Sequence, residues 1–532
     1  MATVAGERAP ASRDVAVAAR RRAPSWILLI LSLVVVLVLA APLVFLIIEV
    51  RDANWTTVWN LIWRPLTWSL LWNTIRLTVV VTILCAVIGT LAAWCVECTD
   101  LPFRRVWAVL VVIPFAIPDF VIAFGWASLS PRVQGFQGAV LVMTLAVYPL
   151  VYLPVAASLR AADPGQEEAA RSLGLGRVQT FARVTLRQAR AAILGGSMVV
   201  TLLILAEYGA FEILGFRTFT TQIFSELQQS FSVAGAAGLS LVLVGLGVVV
   251  LLGDVIVQGR SRVVRTGAFA QRATRRHALG VWKLPVLAAF AALVILALGV
   301  PVGSSIYWMF ARQGVGIAGA SLASAGANTA VYSASAALLA TAMALPVALY
   351  AVRYGGRIAR ILERGTFLVL AVPGVVIALA LSYFTERYAG GVGYQSAGLL
   401  VLAYAILFFP LALVGVRASV TYAPVGLEEA ARSLGSGRLA VFRRVTLPLV
   451  GPGLAAAFCL VFLAAITELT ATLLLIPTGA QTLSTQFWAY EQNLSYGQAA
   501  PFALVIIAVA AVPSYVIARY FDRLPARAAR SK

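Results

Sequence analysis

The sequence contains little charge. Only 12% of its 532 residues are Asp, Glu, Lys or Arg, whereas 61% are hydrophobic and the mean hydropathy is +0.91. Soluble domains are typically about a quarter charged, because they need a polar surface. The composition therefore excludes a soluble enzyme, a secreted disulfide scaffold and a disordered protein, and it indicates a chain whose surface lies mostly in a lipid bilayer.

Cysteine and histidine are also scarce. Four cysteines are too few for a disulfide framework. Cys95 and Cys98 have the spacing of a metal or redox pair, but His277 is the only histidine in the chain, and together they do not complete a four-ligand site. We interpret both thiols as incidental and predict no firm metal site, leaving a redox or metal role open.

Lysine is nearly absent, and this excludes one nucleotide-binding motif. A Walker A loop requires the pattern Gly-x4-Gly-Lys-Ser/Thr. The two lysines, Lys283 and Lys532, lie in no such context. We therefore predict that the chain is not an enzyme and that it binds no cofactor of its own.

Long apolar runs are abundant. The first extends from Trp26 to Ile48, which is longer than the apolar segment of a signal peptide and is predicted to be a retained span. With the eleven later runs, the sequence predicts an all-α polytopic membrane protein of about twelve transmembrane helices. The later runs lie near 74–96, 106–128, 138–158, 189–214, 233–257, 284–308, 329–352, 366–383, 397–416, 450–475 and 499–518.

Arginine is concentrated in every second connection between these runs. The segment 258–283, the loop 353–364 and the C-terminal tail are rich in arginine, whereas the odd-numbered connections are not. Because cytoplasmic loops carry the positive charge of membrane proteins, both termini are predicted to be cytoplasmic. The net charge of +20 thus reports topology, and no nucleic-acid partner is expected.

The sequence contains an internal repeat. Residues 167–186 (EEAARSLGLGRVQTFARVTL) and 428–447 (EEAARSLGSGRLAVFRRVTL) are identical at fifteen of twenty positions, with an offset of 261. Upstream, the two parts of the chain align at an offset of 255. The repeat predicts two homologous six-helix halves with the repeated segment on the same side of the membrane. The predicted parts are a cytoplasmic N-terminal tail (1–25), a first half (26–258), a basic cytoplasmic linker (259–283) and a second half (284–532).

The repeated segment has the pattern of a short, capped helix. Asp163 is suited to the N-cap, Pro164 to the first helical position and Gln166 to a reciprocal capping box. Gly174 and Gly176 are expected to end the helix. A plain amphipathic interfacial helix would account for one copy, but it does not explain why eight consecutive residues recur intact.

The same residues resemble a known motif. The pattern Glu-Ala-Ala, three residues, Gly, nine residues, Ile-x-Leu-Pro is similar to the signature loop of permease subunits in bacterial ABC importers. Residues 163–187 and 423–448 carry this pattern once in each half. Arg187 stands where the family has proline, so the local kink is not implied for the first half. The resemblance implies a type I ABC importer permease fold.

The resemblance also implies partners. In this family the signature loop is a coupling helix that inserts into a cleft of the ATPase subunit, which uses the ATP and Mg. Two ATPase copies, a separate extracytoplasmic solute-binding protein and a bacterial inner-membrane location among lipids are implied. The coupling role is assigned to Glu168, Ala169, Ala170, Gly174, Glu429, Ala430, Ala431 and Gly435.

The solute is expected to be iron(III), because the stretch 205–224 is similar to permeases of the iron(III) importer type. Glu207 and its repeat equivalent Glu468 are expected near the outer ends of their spans, where carboxylates are costly and usually face a pathway. With Tyr208 and Glu212 they are the candidate pathway residues. A purely structural role for these acids, a permease for thiamine or a phosphonate, and a secondary transporter remain alternatives.

Overall fold

The computed structural model describes residues 26–52, 55–230, 232–259, 277–311, 319–388, 390–391 and 393–511. The predicted N-terminal tail, most of the predicted linker and the last 21 residues lie outside this description. Within the described residues the chain is helical, and its one β-type contact is an isolated bridge between Thr99 and His277. The predicted all-α polytopic architecture is confirmed.

The first half contains six long helical segments with shorter helices between them. The long segments are α1 (Trp26–Asp52), α2 (Pro65–Cys98), the pair α3 (Arg104–Ala116) and α4 (Asp119–Ala127), α5 (Gly135–Ala161), α7 (Phe181–Ala206) and α10 (Val233–Gly259). The shorter ones are α6 (Pro164–Ser172), α8 (Gly209–Ile213) and α9 (Phe219–Gln228), and an additional helix of 8 residues covers Trp55–Ile62.

The second half repeats this order. Its long segments are α11 (Gly280–Ala311), α12 (Gly319–Tyr354), the pair α13 (Gly356–Ala371) and α14 (Gly374–Tyr388), the pair α15 (Ala397–Leu407) and α16 (Phe409–Tyr422), α18 (Arg438–Ile466) and α21 (Tyr496–Ala511). The shorter helices are α17 (Val425–Ser433), α19 (Thr470–Leu475) and α20 (Leu483–Gln492).

The apolar runs of the sequence are matched by these segments. Among the residues that the structure describes, eight helices are long and apolar enough to cross a membrane, and the number reaches eleven if each bent pair is one span. The twelfth run, 499–518, is described only as far as Ala511. Two runs end earlier than expected: 189–214 and 450–475 were predicted as single helices, but α7 stops at Ala206 and α18 at Ile466.

The third and ninth runs were predicted as continuous helices, and this is wrong. The chain turns by 92° between α3 and α4 and by 101° between α13 and α14. Pro118 stands at the first break, and Ile117 before it has an extended backbone. Pro373 stands at the equivalent second break. Proline lacks an N–H and pushes the preceding residue out of the helical region, so it interrupts the backbone hydrogen bonding in both halves.

The two halves exchange their outer helices. One apolar core is built on residues between Leu77 and Phe216 and is completed by side chains from α11 and α21, among them Phe290, Ala297, Phe502 and Ile506. The other core is built on residues between Ala336 and Leu475 and is completed by α1 and α10, among them Leu39, Leu46, Leu239 and Leu243. Each core therefore contains the first and last helices of the opposite half.

Candidate functional site

The repeated segments form two short helices, α6 and α17, each between two spans. Asp163 is the N-cap of α6, and its Oδ1 accepts a hydrogen bond from the backbone N–H of Gly165 at 2.9 Å. The predicted capping box is not formed, because the side chain of Gln166 instead bonds that of Gln188 at 2.8 Å. Pro424 precedes α17, so the second copy begins without a side-chain cap.

Both helices end in the same way. Gly174 and Gly435 have φ values of +86° and +84°, a backbone conformation that costs other L-residues roughly 1–2 kcal/mol. The next residue then donates its N–H to the carbonyl of Ala170 in the first copy, at 3.1 Å, and to that of Ala431 in the second, at 3.0 Å. The predicted termination at glycine is confirmed, and these two alanines supply the acceptor that closes it.

The outward surface of each helix is small and partly apolar. Leu173 is 83% exposed and its equivalent Leu434 is 86% exposed, directly before the terminating glycines. Glu168 and Ala169 are exposed beside Leu173, and Glu429 and Ala430 are exposed in the second copy. Ala170 is buried and Ala431 half-buried, so only one alanine of each pair lies on the surface.

The first glutamate of each motif is tied to the span that follows. The hydroxyl of Thr185 donates to Glu167 Oε1 at 2.6 Å, and Thr446 donates to Glu428 Oε1 at 3.2 Å. Both threonines end a π-helical turn, Phe181–Thr185 and Phe442–Thr446. The turn is present in both copies, although the first has Arg187 in place of proline. The tie fixes each short helix against the start of a span.

A basic or ring nitrogen also contacts each of these glutamates. In the second half, Arg353 Nη2 lies 2.8 Å from Glu428 Oε1, and both side chains are only 7% exposed. In the first half, His277 Nε2 lies 3.3 Å from Glu167 Oε2. Glu167 lies outside the spans, and the hydrogen bond from His277, with that from Thr185, lowers the pKa of its carboxyl below the ordinary value.

The candidate pathway acids lie at equivalent helix ends. Glu207 follows α7, and its Oε1 accepts a hydrogen bond from the N–H of Ala210 at 2.7 Å. Glu468 follows α18 by two residues, and its Oε1 accepts from the N–H of Ala471 at 2.9 Å. Each carboxylate thus caps the short helix that follows it, which is a structural function in its own right.

These acids also meet where the halves touch. Glu207 and Glu468 are close enough to interact electrostatically, and Glu207 also interacts with Asp119, the first residue after the α3–α4 break. The halves pack tightly here: a carbon added at Gly209 would lie 2.9 Å from the side-chain atom Cδ2 of Leu469 in the other half. The two predicted acids are therefore brought together, with a third that the sequence did not single out.

The other two candidate pathway residues lie nearby in different settings. Tyr208 is buried, and its ring lies 4.5 Å from that of Phe224 and 5.7 Å from that of Trp488 in the second half. Glu212 is exposed, and it interacts electrostatically with Glu491 of the second half. Tyr208 is thus a packing residue between the halves, whereas Glu212 is an exposed acid near the buried Glu491 of the second half.

The cysteines are free thiols, and Cys95 and Cys98 are buried on α2. Among the described residues, no group of three or more His, Cys, Asp or Glu side chains is arranged to hold a metal ion.

Several residues of these sites escaped the sequence analysis. Leu173, Leu434, Thr185 and Thr446 lie inside the repeat, so their identity at the 261-residue offset was an available signal. Arg353 and Asp119 carry no such signal, because their counterparts Cys98 and Gly374 differ in type, and His277 lies in the linker, which is not repeated.

Residues 85–263 and 342–529 match the family described as binding-protein-dependent transport system inner membrane component. The chain is 36% identical over 503 residues to the Fe(3+)-transport system permease protein FbpB 2 of Haemophilus influenzae, covering 94% of this chain and 99% of that one. It is 30% identical over 214 residues to the molybdenum transport system permease protein ModB of Escherichia coli K12, covering 36% of this chain and 93% of that one. It is 28% identical over 214 residues to the sulfate transport system permease protein CysT of Salmonella typhimurium, covering 37% and 77%. The chain therefore belongs to the family of binding-protein-dependent transport system inner membrane components, which are multi-pass transport permeases and not enzymes.

Proposed function

We propose that this permease carries iron(III) across the bacterial cytoplasmic membrane, driven by two copies of a separate ATPase subunit and supplied by an extracytoplasmic solute-binding protein. The observation that carries the proposal is the pair of matching short helices, α6 and α17. Each ends at a left-handed glycine and presents an exposed leucine beside an exposed acid.

Two equivalent docking helices call for two ATPase copies. An exposed large apolar side chain flanked by small and charged residues is typical of a surface that a partner covers. Leu173 and Leu434 are the apolar centres of these surfaces, and Glu168 and Glu429 are their acids. The hydrogen bond from Thr185 or Thr446 to the first glutamate of each motif then transmits a movement of the short helix to the next span. ATP and Mg are used by the partner, and this chain binds no cofactor.

The orientation follows from the same surfaces. Since the ATPase subunits need cytoplasmic ATP, α6 and α17 face the cytoplasm, as does the arginine-rich linker. The N- and C-termini then lie on the cytoplasmic side as well.

The assignment of iron(III) is supported by the near full-length similarity to an Fe(3+)-transport permease. The acids at the meeting point of the halves, Asp119, Glu207 and Glu468, are chemically compatible with it, because hard cations prefer oxygen ligands. Molybdenum and sulfate permeases match only about a third of the chain.

The test is reconstitution of the permease with its ATPase subunits in proteoliposomes. The ferric-loaded binding protein should stimulate ATP hydrolysis and iron uptake, and binding proteins loaded with molybdate, sulfate, thiamine or a phosphonate should not. Stimulation by one of those and not by the ferric form would reject iron(III) while keeping the permease role. Failure of any ATPase subunit to co-purify would reject the coupling assignment.

A further inference from the structure

We infer that the linker between the halves completes the first coupling site, with His277 acting as the positioning residue of helix α6. This inference rests on the proposed coupling role of α6 and α17. The inference identifies the end of the linker as the element that holds α6, and it explains why the two copies differ.

The last part of the linker returns to the first half and pairs with the end of α2. The N–H of His277 donates to the carbonyl of Cys98 at 2.8 Å, and the N–H of Asp100 donates to the carbonyl of His277 at 3.1 Å. Asp100 then accepts from the N–H of Leu279 at 2.8 Å and forms an ion pair with Lys283 at 2.7 Å. These four contacts fix His277 and the residues that follow it against the end of α2.

The imidazole of His277 lies between two residues of α6. Arg171 Nη2 is 2.7 Å from Nδ1 and 3.0 Å from Nε2, and Nε2 is 3.3 Å from Glu167 Oε2. In a neutral imidazole protonated on Nε2, Nε2–H donates to Glu167 and Nδ1, the nearer nitrogen, is the acceptor for Arg171. The imidazole ring also stacks on the ring of Trp94 in α2, with 6.3 Å between the ring centroids. The ring therefore holds α6 against α2.

The second half achieves the same result without the linker. Glu428 is the repeat equivalent of Glu167, and its partner is Arg353, at the end of α12 within the same half. At the offset of 255, the position of Arg353 corresponds to Cys98 in the first half. Cys98 cannot make the ion pair. The linker supplies His277 at this place, so the first copy depends on the connection between the halves.

A direct test compares the mobility of α6 and α17 in the full-length permease. A spin label is attached at residue 173 or 434 through L173C or L434C, since both positions are highly exposed. Cys459, which is half-buried, is replaced by Ser in all variants, whereas Cys85, Cys95 and Cys98 are buried and are retained. His277→Ala should increase the mobility of the label at 173 and leave that at 434 unchanged. Arg353→Ala should increase the mobility of the label at 434 and leave that at 173 unchanged.

Two rescue variants separate positioning from general support of the fold. His277→Gln should restore the immobile spectrum, because its amide accepts from Arg171 and donates to Glu167. Cys98→Arg combined with His277→Ala should also restore it, because this pair copies the arrangement of the second half. Lys283→Met, which removes only the ion pair with Asp100, is the matched control and should leave both labels unchanged.

Coupling is measured on the same variants in complexes with the ATPase subunit and the ferric-loaded binding protein. His277→Ala should lower iron uptake per ATP hydrolysed by about tenfold, the effect of losing one hydrogen bond to a charged group. The inference is overturned if the label at 173 stays immobile in His277→Ala, or if the labels at 173 and 434 are equally mobile in that variant. If His277→Ala frees α6 while Gly174→Ala, Gly435→Ala and their combination leave uptake per ATP unchanged, the coupling role of the helices is wrong and the holding role of His277 stands.

Discussion

Asp119 and Gly374 are equivalent residues, each the first after a proline-induced helix break in its half, and they differ in what they place beside the neighbouring glutamate. Asp119 interacts with Glu207. Gly374 has no side chain to place beside Glu468, and an added carbon would lie only 3.2 Å from Oε1. The meeting point of the halves is therefore asymmetric, with two acids on one side and one on the other.

The first prediction concerns these acids. Glu207→Gln and Glu468→Gln retain the carbonyl oxygen that accepts the N–H of Ala210 or Ala471, so assembly and basal ATPase activity should persist. If the charges assist iron(III), uptake should fall by roughly tenfold in each single variant and further in the double variant. Uptake and ATPase assays at matched expression check this, with Glu386→Gln, an exposed acid on α14, as the control. Unchanged uptake in the double variant would leave Glu207 and Glu468 with their capping function only.

The second prediction concerns the ends of α6 and α17. Gly174→Ala and Gly435→Ala force a left-handed conformation on alanine, at a cost of roughly 1–2 kcal/mol, and should lower iron uptake per ATP hydrolysed. Gly437→Ala is the control, because Gly437 lies two residues further, has φ −64° and has open space around it. Equal behaviour of Gly435→Ala and Gly437→Ala would show that the helix end has no part in coupling.

The third prediction concerns the exposed leucines. Leu173→Ser and Leu434→Ser should weaken the association of the ATPase subunit, with a larger effect in the double variant, because a buried leucine contributes about 1.5–3 kcal/mol to a packed contact. Co-purification and the dissociation constant of the ATPase subunit measure this. Leu494→Ser is the matched control, since Leu494 is 67% exposed and follows α20, outside both short helices. Normal association of the double variant would contradict the docking role.

The fourth prediction concerns pH. Because the pKa of Glu167 is lowered in the folded protein, its ionised form contributes stability above its unfolded pKa of about 4.3, and this contribution is lost as the pH falls through the folded pKa. The melting temperature of wild type should therefore exceed that of Glu167→Gln at pH 6–7, and the difference should shrink below about pH 4. Glu168→Gln, which replaces an exposed acid on the same turn, is measured in parallel as the matched control. A constant difference over the whole range would contradict the assignment.

Much of the structure of α6 and α17 could be predicted from the sequence. The repeat places the same residues on the same side, the glycines end both helices, and Asp163 caps the first. These features depend on residues within one turn of each other, so local pattern is sufficient to find them. Hydropathy also located the spans, because a bilayer requires about 20 apolar residues in a row.

The remaining features depend on contacts between distant segments. Hydropathy shows that α1 and α21 are apolar, but it does not specify that they pack on the opposite halves. A helix surface that faces lipid and one that faces other helices are both apolar. His277 reaches Glu167 only because the linker turns back to Cys98. Asp119 meets Glu207 only because the chain bends by 92° at a proline that lies within an apolar run.

The exchange of helices has a consequence for biosynthesis. The core around α5 and α7 includes Phe502 and Ile506, so it stays open until the end of the chain has been made. At about 5–20 residues per second, the roughly 250 residues between α10 and Ile506 take about 12–50 s to synthesise. During that interval the first-half helices lie in the bilayer with lipid in place of their final neighbours. An insertion factor that shields these helices would therefore raise the yield of the native permease, and one that releases them early would lower it.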